Sequence, residues 1–409
     1  MDNLEKDRAL RAFMTRMNKE FAKGKGHKVI AFADEVGNPY FLRRPSGIMQ
    51  LDIDTGGGLP AGGISILSGP DQAGKNFLLN KYIAMQQKLY GNSCKVAIAH
   101  VETPPDHFFM RKCGVRVAIP DAMVDERDWF NKERGLPSFT KEERKSFKEQ
   151  VGKIVIIREE TSELLFKAIL EAVRSNVFSI IGLDSISAIQ SNAEAGIDGF
   201  EQMPQQAADA GLITRFYKKY APLTLGLKDE QNESTLIFTS QVRSNRKKSE
   251  VASFNPHLAR MMKEYDSGGS YANRHGKLIE ISLWNGKRDR SKQTIDGKEV
   301  KIAEGKTICW ELKKGKAGTH DGITGEVEFS YETLTEDLRT VLVAGIRHGV
   351  IVEKSGLITV LNATTREPTT MANIPGPDEF CARLQADFVL ELAVRREILV
   401  AAGKQCRYQ

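Results

Sequence analysis

The chain has few cysteines and no long apolar run. Its 409 residues include five scattered cysteines and no Cys-x-x-Cys pair, which argues against a disulfide framework and a structural zinc site. No apolar stretch approaches the roughly 18 residues that span a bilayer. The segment MDNLEKDRAL lacks the apolar core of a secretion signal. These absences predict a soluble, cytoplasmic protein with no membrane partner.

The positive charge of the chain is concentrated in one region. The formal net charge is +6, from 59 basic and 53 acidic residues. Residues 211–320 hold 22 basic and 12 acidic residues, a balance of +10, which leaves −4 for the rest. A local positive field is typical of a surface that binds a polyanion, although solvated faces give similar imbalances.

Apolar patterns from residue 50 onward alternate between strand and helix. Strand patterns at 63–67, 95–101, 153–159 and 178–184 are interleaved with helical patterns at 77–90 and 162–175. This order predicts an α/β fold with a mostly parallel central sheet and helices on both faces.

The flanking segments predict two smaller units. An amphipathic helix at 4–23 and a short strand indicate an N-terminal arm over residues 1–48, before a core over 49–320. A change of pattern then indicates a small C-terminal α/β domain over 321–409. Residues 121–150 contain fifteen charged side chains and predict either a solvated insertion or a partner-binding element.

A phosphate-binding loop is the strongest single motif. G-x-x-x-x-G-K spacing occurs between a predicted strand and a predicted helix, where backbone N–H groups and the helix dipole favour phosphate oxygens. Lys75 is expected to reach the β and γ phosphates. The predicted cofactor-binding residues here are Gly69, Pro70, Asp71, Gln72, Ala73, Gly74, Lys75, Asn76 and Phe77.

Asn76 departs from the usual pattern, in which a Ser or Thr hydroxyl follows the lysine and binds Mg²⁺. An amide oxygen can bind a hard cation, but Asn is longer than Ser and Mg²⁺ tolerates little distortion. The sequence therefore leaves open a site that binds ATP with weak turnover or none.

Two carboxylates end predicted strands, where ligands collect in open α/β sheets. Asp184, followed by Ser185, could hold the hydration shell of Mg²⁺, or it could merely cap the next helix. Glu102 could act as the general base that polarises the attacking water, although a Glu at a strand end is common.

A basic segment follows the predicted strand that ends in Gln241. It combines cations with an interleaved aromatic residue, a composition that suits single-stranded nucleic acid. A solvated basic loop without a ligand is the alternative. The candidate DNA-binding residues here are Arg243, Arg246, Lys247, Lys248, Phe254 and Arg260.

The order of these motifs resembles that of the RecA recombinases, including their phage UvsX-like branch. The resemblance covers almost the whole chain. LDIDTGGGLPAGGISILSGPDQAGKN, VETPPDHFFMRKCGV, LDSISAI, TLIFTSQVR and WELKKGKAG resemble successive family motifs, and the N-terminal helix resembles the polymerisation helix of bacterial RecA. The resemblance implies a RecA-like P-loop ATPase core with a helical polymerisation arm.

The resemblance also implies roles for individual residues. Lys75 would bind phosphates, Glu102 would activate water, and Gln241 would sense the γ-phosphate. Mg²⁺ would be organised by Asp184 and Ser185, together with Asn76. The resemblance further places Asp106 and Phe109 at adenine, Lys314 and Lys316 in the ATP site of a neighbouring subunit, and Met203 as an apolar wedge in a DNA-binding loop at 192–205.

The sequence thus predicts an ATP-dependent recombinase that forms filaments on single-stranded DNA, pairs it with a homologous duplex and exchanges strands. ATP and Mg²⁺ are the expected cofactors. Further copies of the chain, a single-strand-binding protein and a loader are candidate partners, and a phage-encoded protein acting in a bacterial host fits the resemblance. Two alternatives stay open: a hexameric motor such as a helicase, and a DNA filament protein without hydrolysis.

Overall fold

We describe the fold from a computed structural model of the chain. The residues that it describes are 3–21, 30, 32, 42–102, 104–159, 161–189, 206–224, 233–244, 265–267, 276–295, 298–315, 319–332, 334 and 337–404. The predicted DNA-contacting residues Met203, Arg246, Lys247, Lys248, Phe254 and Arg260 lie outside these ranges, as does Lys316.

A nine-stranded sheet forms the centre of the molecule. Its order is β11-β10-β9-β3-β7-β6-β4-β5, and β8 pairs with β7 at one end of that strand. All pairs from β9 through β3 to β5 are parallel, whereas β9, β10 and β11 pair antiparallel. The predicted α/β fold with a mostly parallel sheet is therefore confirmed. The strands are β3 (Ile64–Gly69), β4 (Lys95–His100), β5 (Lys153–Ile157), β6 (Ile180–Asp184), β7 (Thr235–Ser244), β8 (Tyr265–Ser267), β9 (Ile279–Ile295), β10 (Lys298–Gly315) and β11 (Thr324–Ser330).

Helices cover both faces of this sheet, because each carries an apolar stripe toward it. On one face, α3 (Lys75–Tyr90) packs through Phe77 and Ile83 against Ile98 of β4. On the other face, α7 (Ser162–Arg174) and α8 (Gln206–Thr224) pack against β3 and β6. The β-branched residues of the central strands are buried on both sides, as parallel strands require.

Four elements precede the central strands in the described residues. Helix α1 (Asn3–Phe21) is mostly exposed, and Leu10 and Phe13 are 45% and 43% exposed. A two-residue ladder joins β1 (Arg43–Arg44) to β2 (Leu59–Pro60), and α2 (Met49–Asp54) lies between them. No helix in the described ranges is both long and apolar enough to cross a membrane.

The charged segment 121–150 forms two helices with an aromatic cluster beneath them. Helix α4 (His107–Lys112) precedes it, and the segment itself contains α5 (Asp121–Glu133) and α6 (Lys141–Ser146). Phe108 stacks on Phe139 and meets Phe147 edge-on, while Arg144 bridges Asp125 and Asp128 across the two helices. The insertion is therefore an ordered helical pair with its own packing and ion pairs.

The core sheet extends beyond the predicted boundary at residue 320. Strand β11 pairs with β10 over seven residues, and Val327 and Phe329 belong to the same apolar cluster as α3. The predicted boundary lies too early because β11 extends the long antiparallel hairpin of β9 and β10. The local sequence pattern does not reveal this pairing.

The C-terminal unit that follows is a small α/β structure. It contains α9 (Asp337–Arg347), α10 (Gly376–Ala386), α11 (Phe388–Ala401) and a three-stranded sheet of β12 (Ile351–Lys354), β13 (Leu357–Val360) and β14 (Ile374–Pro375). Its apolar cluster includes Met49 and Ile53 of α2 and Met85 of α3, so that it packs directly on the core.

Candidate nucleotide site

The predicted phosphate loop lies between β3 and α3, where the sheet presents its carboxyl edge. Gly74 adopts φ +99° at the start of α3, and Gln72 is also left-handed with φ +58°. Only glycine tolerates such a φ at little cost, so Gly74 lets the chain turn sharply from the strand into the helix. The turn exposes the N-terminus of a 16-residue helix, which attracts anions.

Lys75 closes over this loop. Its ammonium nitrogen donates to the carbonyl oxygens of Gly69 and Pro70, both at 2.8 Å. Burial lowers the pKa of Lys75, while the nearby carboxylates of Asp71, Asp184 and Glu102 oppose that shift. The ammonium is thus held at the loop by neutral carbonyl groups, which leaves its charge available to a phosphate.

Asn76 and Asp184 meet at the adjacent strand end. The Asn76 amide nitrogen donates to Asp184 Oδ2 at 2.9 Å, and Thr239 of β7 donates to Asp184 Oδ1. Asp184 is the last residue of β6, and Ser185 rather than Asp184 occupies the N-cap position of the following short 3₁₀ helix, without a capping hydrogen bond from its side chain. In the part of the chain that the structure describes, no group of three His, Cys, Asp or Glu side chains could hold a metal.

A metal at this position would therefore have few protein ligands. That donor set fits Mg²⁺, which usually retains several waters and takes one or two protein oxygens together with substrate phosphates. Asp184 supplies a carboxylate and Asn76 an amide within hydrogen-bond distance of it.

Glu102 is held by side chains from two other strand ends. Its carboxylate accepts hydrogen bonds from Ser185 and from the Gln241 amide nitrogen, the latter at 3.1 and 3.2 Å. Ser187 in turn contacts Ser185 and accepts from the Gln241 backbone N–H at 2.8 Å. The structure thus joins the predicted general base to the predicted phosphate sensor.

Glu102, Gln241 and Asp184 line one cavity of about 420 Å³ together with the loop. Parallel register brings them together, because Gly69 pairs with Gln241 and His100 pairs with Asp184. The predicted residues that line the cavity are Asp71, Gln72, Gly74, Lys75, Asn76, Phe77, Glu102, Phe109, Asp184 and Gln241.

The predicted adenine contacts lie beside this cavity. Phe109 lines it, and also lines a neighbouring cavity of about 110 Å³ together with Asp106 and Asp184. The Asp106 carboxylate accepts the Phe109 backbone N–H at 2.9 Å and caps α4. Asp106 therefore has a structural role that sequence reasoning did not assign to it.

Four lining residues were missed by sequence reasoning. Lys306 and Ile308 come from β10, Phe329 from β11, and Tyr331 follows β11. No local motif marks them, because they reach the site through the antiparallel part of the sheet. Phe329 packs edge-on against Phe77 with ring centroids 5.1 Å apart, and forms an apolar wall beside the loop.

Two other predicted residues lie away from the cavity. Lys314 is near the end of β10, opposite Glu280 of β9, and does not line the cavity within its own subunit. Arg243 lies in β7, opposite Asp266 of β8, at the start of the predicted DNA-binding stretch. Their proposed roles toward a neighbouring subunit and toward DNA stay predictions.

Comparison with known proteins finds RecA proteins. The chain is 27% identical over 241 residues to Protein RecA of Chloroflexus aggregans, which covers 58% of this chain and 55% of the relative. It is 26% identical over 240 residues to the chloroplastic DNA repair protein recA homolog 1 of Arabidopsis thaliana, with 59% and 44% covered. Protein RecA of Dichelobacter nodosus is 26% identical over 242 residues, with 59% and 56% covered. No protein-family model matches the chain.

The chain is therefore similar to RecA proteins. It spans about half the length of the curated RecA relatives that it matches. This similarity agrees with the fold, in which the loop after β3 meets Asp184 at the end of β6 and Glu102 just after β4, two other strands of the parallel sheet.

Proposed function

We propose that the chain is an ATP-dependent recombinase that assembles on single-stranded DNA and exchanges it with a homologous duplex. The observation that carries this proposal is the contact between Gln241 and Glu102. It links Glu102, the carboxylate that we propose activates water, to β7, the strand that leads into the basic stretch of the chain.

The chemistry of the site follows from its side chains. The loop N–H groups and Lys75 bind the phosphate chain, and Glu102 removes a proton from the water that attacks the γ-phosphorus atom. The bond between that phosphorus and the β–γ bridging oxygen breaks, giving ADP and phosphate. Mg²⁺, when bound beside Asp184 and Asn76, supplies positive charge that neutralises the phosphate oxygens.

Gln241 makes this site a switch. Its amide nitrogen bonds Glu102, and a γ-phosphate offers that amide a competing oxygen acceptor. A change of partner at Gln241 is transmitted along β7, because Arg243 is only two residues further along the same strand. ATP would then stabilise the DNA-binding form of the basic segment, and hydrolysis would release it.

DNA binding would come from phosphate contacts rather than from base reading. The basic stretch after Gln241 supplies the charge, and base pairing between the strands supplies sequence specificity. We propose that further copies of the chain form the filament, with Lys314 and Lys316 reaching a neighbouring ATP site. A single-strand-binding protein and a loader would act as accessory partners in the cytoplasm of the host cell.

The test is nucleotide-dependent binding to a fluorescent single-stranded oligonucleotide. We expect ATP to tighten DNA binding in the wild-type protein, and Lys75→Ala to remove that ATP effect. Gln241→Ala is expected to bind ATP while losing the coupling to DNA. Lys141→Ala, a change of an exposed lysine on α6, serves as the matched control.

Three results would contradict the proposal. DNA binding that Lys75→Ala leaves unchanged with ATP would contradict the assignment of the phosphate loop. Electron micrographs of closed rings instead of filaments would favour a RecA-core motor, and filaments without phosphate release would favour a DNA-binding filament protein.

A further inference from the structure

Lys306 brings a second lysine to the phosphate loop from within the same subunit. It lies on β10, more than 200 positions from the loop, and its ammonium donates to the Gln72 carbonyl oxygen. The residue is only 6% exposed, yet it lines the cavity that also contains Lys75, Glu102 and Gln241.

The charge of Lys306 has no carboxylate partner among the described residues. Its contacts are the neutral carbonyl of Gln72 and the ring of Phe329, whose centroid lies 5.8 Å from the ammonium. Burial lowers the pKa of Lys306, and the nearby Arg288 lowers it further. A buried ammonium without a counter-charge is costly, and an anion in the cavity would remove that cost.

The position of Lys306 is held by the pairing of β10 with β11, which is continuous from Lys306 to Ile308, whereas the pairing with β9 shifts by one residue between them. Residues two apart on β10 share a face, and Ile308 of that face lies against Gly74 of the loop. Lys306 therefore contacts Gln72 and Ile308 lies against Gly74, so that two alternate residues of β10 support the loop. In the antiparallel ladders, Lys306 lies opposite Phe329 of β11 and Arg288 of β9.

We infer that Lys306 is a further nucleotide-binding residue, which contacts the terminal phosphate of a nucleoside triphosphate bound in its own subunit. This inference rests on the proposed ATP site. The terminal phosphate is assigned because Lys306 shares its cavity with Glu102 and Gln241, the groups proposed to act at that phosphate. Lys306 would supply positive charge before any neighbouring subunit contributes its lysines.

The test measures the affinity of the DNA-free, full-length protein for ADP and for a slowly hydrolysed ATP analogue by titration calorimetry. Lys306→Met removes the charge with little change in length, and Lys306→Arg keeps the charge. Lys313→Met changes an exposed lysine of the same strand, with its side chain 48% exposed, and serves as the matched control. A melting curve checks that each variant is folded.

We expect Lys306→Met to weaken binding of the ATP analogue roughly tenfold or more, the loss typical of one charge-assisted hydrogen bond. ADP binding should weaken roughly threefold or less, and Lys306→Arg should retain most of the affinity for the ATP analogue.

Equal weakening of both nucleotides, or unchanged binding, would overturn the inference and leave Lys306 as a brace for Gln72. An Arg variant that is no better than Met would overturn it as well. If the wild-type protein bound neither nucleotide, the proposed ATP site would fail, and this inference would fail with it.

Discussion

Gly74→Ala should damage both the stability of the loop and nucleotide binding. A Cβ at Gly74 would lie 2.8 Å from Cδ1 of Ile308 and 3.2 Å from its Cγ2, and φ at this position is +99°. The backbone strain costs about 1–3 kcal/mol, and crowding in a packed site adds about 1–3 kcal/mol. We therefore expect a loss of about 2–6 kcal/mol in the free energy of unfolding.

Gly91→Ala separates the two contributions. Gly91 ends α3 with φ +52°, and a Cβ there would meet nothing within 4 Å. This variant should lose only backbone strain, about 1–3 kcal/mol, because φ +52° with ψ −129° is a conformation that L residues rarely adopt. Combining Gly74→Ala with Ile308→Val removes the nearest clashing atom, and should recover part of the extra loss.

The assay is urea denaturation of the three variants and the wild type, followed by titration with ADP. We expect Gly74→Ala to be the least stable single variant and to bind ADP more weakly than Gly91→Ala does. Equal stability of the two alanine variants, with normal ADP binding by both, would refute the close contact between β10 and the loop.

Two further predictions follow from other contacts. Asn76→Thr replaces an amide by the usual hydroxyl ligand, so ATP binding should reach half-saturation at lower Mg²⁺, and an unchanged Mg²⁺ titration would show that the departure has no effect. Glu391 forms ion pairs with Lys88 of α3 and with the buried Arg395 of α11. Burial of the carboxylate opposes its ionisation, but the two cations outweigh burial and lower the pKa of Glu391. Its stabilising effect is present above the unfolded carboxyl pKa of about 4.3 and is lost as pH falls through the lower folded value. Glu391→Gln should cost about 3–5 kcal/mol at pH 7 and flatten the acid side of a melting-temperature profile, whereas a profile like that of the wild type would contradict this role.

Local signals in the sequence mark the residues that the structure brings together in the central part of the candidate site. The phosphate loop, the strand ending at Asp184 and the strand containing Gln241 are contiguous stretches with strong patterns, and a parallel sheet brings their carboxyl ends to one edge. The contact between Gln241 and Glu102 follows from that arrangement.

The antiparallel part of the site was not predictable in the same way. Strands β9 and β10 contain 17 and 18 residues and pair with irregular register, so that no local period shows which side chains reach the loop. In the sequence, no local pattern distinguishes Lys306 from the other lysines of the basic region. Lys306 is buried because β10 pairs with β9 and β11. The pairing with β11 also extends the core sheet beyond residue 320.

The most direct test of the account is fluorescence-monitored strand exchange between a single-stranded oligonucleotide and a duplex, with Mg²⁺ and with ATP, ADP or no nucleotide. We predict exchange only with ATP and only when the duplex is homologous, and we expect Lys75→Ala to abolish it. Exchange that needs no ATP, or ATP-dependent filaments that never exchange strands, would contradict the assignment of this chain as an ATP-dependent recombinase.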